Sequence, residues 1–207
     1  MYLNLARRLT LIGIHQLWVA DITAIRLRTE FVYLVVLLDG SSRKVGGWAL
    51  DKTLARLPLG ALHRAITARQ PPPGMVHRSD RGNQYGTAAY QWHLVDGGIQ
   101  CSMSRLGNCW DNAVVESFFA TLKTTLRSKG HPLSTRQEAR TAIFEYVEGF
   151  YNRARRHSAL GYLCPWSLNN GLLPQSTVST ESREVQVNSP ARFNEFLTCL
   201  SPHRNLS

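Results

Sequence analysis

Eight consecutive apolar residues, Phe31 to Leu38, constrain this chain more than any other stretch. The run is rich in Val and Leu and is bounded by polar and turn-forming residues, which marks a strand buried on both faces. Upstream, Leu17 to Arg28 mixes β-branched and apolar residues with polar ones and reads as a second strand. Downstream, Asp39-Gly40-Ser41-Ser42 is a short turn that leads into a third strand over Arg43 to Leu50. Links this short join antiparallel neighbours, because parallel strands need a crossover of about a dozen residues or more. The chain therefore opens with an antiparallel meander.

The period then changes. Leu59, Leu62, Ala65 and Ile66 share one helical face with Pro58 in the first turn, which predicts a helix to Arg69, closed by Gln70-Pro71-Pro72-Pro73-Gly74. Met75 to Ser79 reads as a short strand, Thr87 to Val95 as a helix stopped by Gly97-Gly98, and Ile99 to Met103 as another strand. Asp111 or Asn112 caps a helix that runs through Val115, Phe118, Phe119 and Leu122 to Arg127. Thr135 with Glu138 forms a capping box for a last long helix, with Ala142, Ile143, Tyr146, Val147 and Phe150 on one side. From Gly171 onward, scattered Ser and Pro without a sustained period mark a poorly ordered tail. A meander followed by helix-strand alternation predicts an α/β fold, a mixed sheet with flanking helices. The expected organisation is an extension over 1–16, a core over 17–130, a helical and basic segment over 131–170, and a tail over 171–207.

Charge narrows the partners. Lys and Arg number 24 against 14 Asp and Glu, a net charge of +10 and a pI near 10.0. That balance favours a polyanion, with nucleic acid first. The eight-residue apolar run falls far short of the roughly 20 residues that cross a bilayer. The amino terminus, MYLNLARRLT, lacks the apolar core and cleavage site of a secretory signal, so a cytoplasmic protein is expected. Cys101, Cys109, Cys164 and Cys199 are irregularly spaced, which argues against a disulfide framework or a zinc site.

Three of the few carboxylates stand in places that resist an ordinary reading. Asp21 lies inside the first strand, in Trp18-Val19-Ala20-Asp21-Ile22-Thr23, where Asp is disfavoured. Asp80 closes the fourth strand in His77-Arg78-Ser79-Asp80, at the kind of strand end where ligands gather, although on its own it reads more readily as a turn former. Glu116 stands one turn into its helix among Val115, Phe118 and Phe119, on what reads as the apolar side, where a bare carboxylate is costly. Brought together, the three would repel one another and raise at least one pKa, and a divalent cation would resolve the conflict. Two such ions can activate a hydroxyl on one side of a phosphodiester and stabilise the leaving oxygen on the other.

Five ordered segments carry a family resemblance: WVADITAI, FVYLVVLLDGSSRKVGGWAL, HRSDRGNQY, GNCWDNAVVESFFATLK and YNRARRHSALGY. From Trp18 to Pro165 the chain resembles the catalytic core of bacterial insertion-sequence transposases of the retroviral-integrase-like branch, which use an Asp, Asp, Glu triad. Asp21, Asp80 and Glu116 stand at the triad positions, with the family's 35 residues between the second and third. The resemblance implies a ribonuclease-H-like fold, catalysis and metal binding by these three residues, and two Mg²⁺ ions, with Mn²⁺ able to substitute. It implies DNA as partner, both element ends and target, and a homo-oligomer in the DNA complex.

Basic residues surround the triad. Lys123 follows Glu116 by two helical turns on the same face, within reach of a phosphate, although a solvated lysine fits the position equally. Arg105 stands in the loop before the Glu116 helix and is a candidate for contact with the DNA backbone. Tyr151, Asn152, Arg155 and His157 match the family pattern, which implies nucleic-acid binding for them, and Arg153 and Arg156 extend the cluster. Asp111, the rival third carboxylate, is assigned to the helix cap, and His77 reads as structural. Trp92 and Trp110 read as packing residues rather than base-stacking ones. The first core strand begins about 17 residues in, so the family's amino-terminal helix-turn-helix is expected to be either lost, leaving a truncated transposase, or supplied by a separate protein from an upstream reading frame. The alternatives to an active transposase core are an inactive remnant that only binds DNA and a ribonuclease-H-type nuclease.

Overall fold

The computed structural model describes residues 9–80, 82–103, 113–128 and 130–171. Its sheet contains β1 (Leu17–Arg26), β2 (Phe31–Asp39), β3 (Val45–Asp51), β4 (Val76–Ser79) and β5 (Gln100–Met103) in the order β3-β2-β1-β4-β5. β1 to β3 are antiparallel, while β4 runs parallel to β1 and β5 parallel to β4. The meander and the mixed sheet are therefore as the sequence predicts.

Two apolar layers cover the sheet. On β1, Trp18 and Ala20 join one cluster and Val19 and Ile25 the other, as the two-residue period requires. The Trp18 side is covered by α1 (Leu57–Arg69) and α2 (Ala88–Asp96). The Val19 side is covered by α3 (Ala113–Arg127), α4 (Arg136–Phe144) and a π-helical segment, Glu145–Tyr151, that continues α4. The β2 run divides in the same way, Val32, Leu34, Val36 and Leu38 facing α3 and Val35 and Leu37 facing α1, so nearly every residue of it is buried. α1 approaches β3 closely at Gly47, where a Cβ would lie 2.5 Å from the Ala61 carbonyl oxygen and 2.7 Å from the Ala65 Cβ. No helix among the described residues is long and apolar enough to cross a membrane.

Local differences from the sequence reading have identifiable causes. The third strand begins at Val45 rather than Arg43, because the Asp39 carboxylate accepts the Ser41 and Ser42 amides at 3.1 and 2.8 Å and Arg43 turns through φ +61°. The last long helix is α-helical only to Phe144. Beyond it the turns widen until the Asn152 N–H reaches the Val147 carbonyl, five residues back, at 2.9 Å. The cap at Thr135 forms as expected, accepting the Glu138 amide at 3.1 Å, while Thr87, read as the first helical residue, is instead the cap of α2 and accepts the Tyr90 amide at 3.4 Å. A 3₁₀ turn at Ser158–Leu160 and a short helix α5 (Pro165–Asn169) were not expected. The caps at Asp111 and Asn112, Trp110, Cys109 and the tail from 172 lie outside the described residues.

Candidate active site

The register of the central strands sets the first two carboxylates side by side. β1 pairs with β4 as Trp18 with His77 and Val19 with Arg78, so two places further along Asp21 comes beside Asp80, just past the end of β4. Paired residues of neighbouring strands point to the same face. Asp21 shares the parity of Val19 and Ile25 and so faces the α3 layer. α3 packs on β1 and carries Glu116 in its first turn. Three separate elements thus bring the triad to one region of the sheet.

Electrostatics records the convergence. Asp21 is half-buried, and burial pushes its carboxyl up to about 6. A hydrogen bond from the Ile22 amide at 2.8 Å opposes the shift, and the charges of Asp80 and then Glu116 add to it. Asp80 is exposed, and its Oδ1 accepts the Gly82 amide at 3.0 Å. This is the turn-forming contact that the sequence left open beside the ligand reading. A Cβ on Gly82 would lie 2.9 Å from the same oxygen, so the glycine permits the carboxylate its position.

Glu116 corrects one expectation. It is exposed, whereas Val115, Phe118, Phe119 and Leu122 are buried. At about 100° per residue, position 116 falls just outside the arc centred on Val115. The carboxylate therefore carries no burial cost and is free to turn towards a ligand. Lys123, half-buried, lies on the same flank two turns along.

Two neighbours of the triad escaped the sequence reading. Arg78, buried on β4 and on the same face as Asp80, has its guanidinium pushed down to about 10 by burial. Tyr85 is fully buried, packs edge-on against Tyr90 at 5.3 Å, and has no hydrogen-bond partner for its hydroxyl among the described residues. Its ionisation is pushed well up by burial, then by Tyr90, Asp21 and Asp80. The signal was present in the sequence as a tyrosine five residues beyond Asp80. His77 is structural, as expected: buried, 2.9 Å from the Tyr90 hydroxyl through Nε2, and lowered to about 4 by burial. Trp92, read as a packing residue, is instead 71% exposed on α2.

Tyr151 and Asn152 are the larger correction. Tyr151 is 3% exposed and stacks edge-on against Phe118 at 4.8 Å. Asn152 is 2% exposed, and its side chain accepts the Val45 amide at 2.9 Å and donates to the Val45 carbonyl at 3.1 Å. Both side chains are committed to the protein, Asn152 holding the segment to β3 and Tyr151 packing it on α3, so neither is available to nucleic acid. Arg155 and His157 are half-buried, Arg155 lying 5.7 Å from the Tyr151 ring centroid. Burial, then Arg155 and Arg43, lower His157 to about 4. Arg105 lies outside the described residues.

The donor chemistry at the triad fits a hard divalent cation, since all three groups are carboxylates and Asp21 carries uncompensated negative charge around it. Among the described residues no three His, Cys, Asp or Glu side chains converge tightly enough to hold a metal ion in this arrangement. Closure is left to the exposed side chains of Asp80 and Glu116.

Comparison with known proteins agrees with this geometry. Integrase core domain families match residues 14–109 and 97–165. The chain is 40% identical over 154 residues to the insertion element IS600 uncharacterized 31 kDa protein of Shigella sonnei, covering 73% of this chain and 56% of that protein. It is 40% identical over 152 residues to the transposase for insertion sequence element IS904 of Lactococcus lactis subsp. lactis, covering 73% of this chain and 60% of that one. The chain thus spans little more than half the length of these curated relatives. Among solved structures, an integrase assembly of simian T-cell lymphotropic virus, an intasome bound to a PP2A regulatory subunit, aligns with TM-score 0.65 at 19% identity over 87% of this chain and 63% of that one. The HTLV-2 integrase catalytic core in complex with magnesium aligns with TM-score 0.59 at 16% identity over 76% of this chain and 97% of that one. The fold is therefore ribonuclease-H-like, as expected, and with matches running from residue 14 to residue 165 the chain belongs to the integrase core domain family.

Proposed function

We propose that this chain is the catalytic core of a bacterial insertion-sequence transposase that cuts DNA at element ends and joins them to target DNA. The observation that supports the reading is the approach of β1, the end of β4 and the first turn of α3, close enough for the charges of Asp80 and Glu116 to act on Asp21. Asp21 and Asp80 would hold one Mg²⁺ and Asp21 and Glu116 a second, with Mn²⁺ as a substitute, in line with the magnesium of the related HTLV-2 core. When bound, the ions supply positive charge against the charge that develops on the phosphate oxygens. Asp21, whose carboxyl holds its proton up to about pH 6, gives it up as a cation binds. In cleavage a water oxygen forms a bond to phosphorus and the 3′-oxygen leaves with a proton; in joining, that 3′-hydroxyl loses its proton and bonds to a target phosphorus, while the target's own 3′-oxygen leaves and takes up a proton.

Residues 17–130 would form the catalytic core, with 131–170 as its basic companion. Lys123, Arg105, Arg155 and His157 would contact DNA. A homo-oligomer would pair two ends, consistent with the trimeric HTLV-2 core, and a separate helix-turn-helix protein would recognise them in the bacterial cytoplasm. Neither the binding-only remnant nor the ribonuclease-H-type nuclease is favoured by an intact triad with transposase relatives. The test is strand cleavage of labelled element ends with Mg²⁺ or Mn²⁺. Wild type should nick and Asp80→Asn should not, and equal cleavage by both would overturn the assignment.

A further inference from the structure

Separate stretches of chain are fastened together at the end of the sheet where β2 passes into β3. Asp39, buried at the end of β2, accepts the His15 amide at 2.8 Å as well as the Ser41 and Ser42 amides and the Ser41 hydroxyl. That ties the segment before β1 to the turn. Asn152 holds both backbone groups of Val45, tying the turn's exit to the end of the π-helical segment. Arg69, the last residue of α1, donates to Asn169 of α5 and lies 3.2 Å from the His15 ring. Its Cγ lies 3.3 Å from where a Cβ on Gly46 would stand, so its side chain runs along the start of β3. Arg43, Lys44, Arg69 and Arg153 are thereby held on neighbouring, mutually anchored elements.

Their charge is only partly balanced locally, since Asp39 acts favourably on Arg69 and Glu148 on Lys44, two carboxylates against four cations. The Asp39 oxygens are taken by amides and a hydroxyl, and the other nearby carboxylate, Glu148, lies 3.4 Å from the Asn152 side-chain amide. Among the described residues the ion pairs are Lys52 with Glu30, Arg136 with Asp51 and His131 with Glu138, none of which involves these four cations. The Arg69 Nε and the adjacent His15 Nδ1 are buried without a partner among those residues. Burial, and then Arg69, also push the Lys44 ammonium down. The fold holds crowded positive charge where both desolvation and repulsion oppose it, and a multivalent anion relieves both. Guanidinium groups suit phosphate in particular, through paired N–H donors.

We propose that Arg43, Lys44, Arg69 and Arg153 form a second binding site for the phosphate backbone of duplex DNA, at the β2–β3 turn and apart from the carboxylates. Asp39, which opens the turn, pairs with Trp18, three residues or about 10 Å along β1 from Asp21. The choice of DNA rests on the transposase reading above.

The test is the salt dependence of binding to a fluorescent 30-base-pair duplex of random sequence, followed by anisotropy in EDTA between 50 and 250 mM salt. Removing one cation that pairs with a phosphate should lower the slope of log K against log salt by about 0.9. Lys44→Gln with Arg153→Gln should lower it by about 1.8 and weaken binding about tenfold or more at 0.1 M. Arg28→Gln with Arg127→Gln, two exposed cations elsewhere, removes the same charge and should leave the slope nearly intact. Equal reductions in both pairs, or an unchanged slope in the first pair with native circular dichroism, would overturn the site. Arg43→Gln alone provides the reading if the first pair does not fold. Cleavage is not measured here: a chain that fails to cut DNA yet shows the slope difference keeps the site and loses the transposase reading, and the converse removes the site alone.

Discussion

At the scale of single residues, the site concentrates unfavourable electrostatics in Asp21. A carboxyl that titrates at about 6 in the folded chain and near 3.8 when unfolded makes the folded state the stronger proton binder between those values. Stability is lost as pH rises through that window, and at neutral pH the loss is complete. Asp21→Asn should therefore stabilise the metal-free protein at pH 8 by about 1–2 kcal/mol after solvent screening, visible as a higher melting temperature, while abolishing cleavage. Metal should reverse the order, raising the melting temperature of wild type but not of the variant. Gly82 offers the complementary case. Gly82→Ala would press a Cβ to 2.9 Å from Asp80 Oδ1 and 2.5 Å from Gln84 Oε1, both ends of movable side chains. Stability should change by less than about 1 kcal/mol, but the displaced carboxylate should cost cleavage about 10²-fold. A melting curve together with a nicking assay separates the two effects.

At the scale of elements, the π-helical segment packs on the sheet through Tyr146, Val147 and Tyr151 and is hydrogen-bonded to β3 by the Asn152 side chain. Asn152→Ala would leave the buried Val45 N–H and C=O without partners, at a cost of about 2–4 kcal/mol in urea unfolding. A direct DNA contact would instead show normal stability with weakened binding. The contrast explains what the sequence made legible. β2 could be read because a doubly buried strand is a continuous apolar run, α2 because Gly97-Gly98 stops it, and α4 because Thr135 sits at its cap. Asp21 could be singled out because it breaks a local rule inside a strand, whereas Asp80, just past the end of β4 in a turn, joins it only through the family resemblance. The widened turns after Phe144 could not be read, since they follow from what Tyr146, Tyr151 and Asn152 pack against, which is tertiary information. Tyr151 and Asn152 look polar and functional within a basic motif, and nothing in their spacing distinguishes a clamp from a contact. Glu116 was placed on the wrong side of its helix by its neighbours in sequence, whereas its angular position was the better guide.

At the scale of the whole molecule, four shifted groups set how stability responds to acid: three histidines lowered chiefly by burial, His15, His77 and His157, and Asp21, which acts in the opposite direction. His77 and His157 are held neutral, each lowered from 6.5 to about 4 chiefly by burial. Between those values the unfolded chain takes up protons that the folded chain refuses, so stability is complete above pH 6.5 and is lost as pH falls towards 4. For the fully buried His77 the loss approaches about 3 kcal/mol. Asp21 opposes it, gaining a proton in the folded state as pH falls from about 6 towards 3.8. The metal-free protein should therefore melt at progressively lower temperature from about pH 7.5 to 5, with a slope that two substitutions move in opposite senses. His77→Gln, which keeps a polar group near the Tyr90 hydroxyl but takes up no proton, should flatten the decline. Asp21→Asn, which removes the opposing gain, should steepen it. Melting temperatures measured across that range in EDTA test both at once: parallel slopes for the three proteins would show that neither His77 nor Asp21 governs the acid response, whatever the absolute stability of each variant.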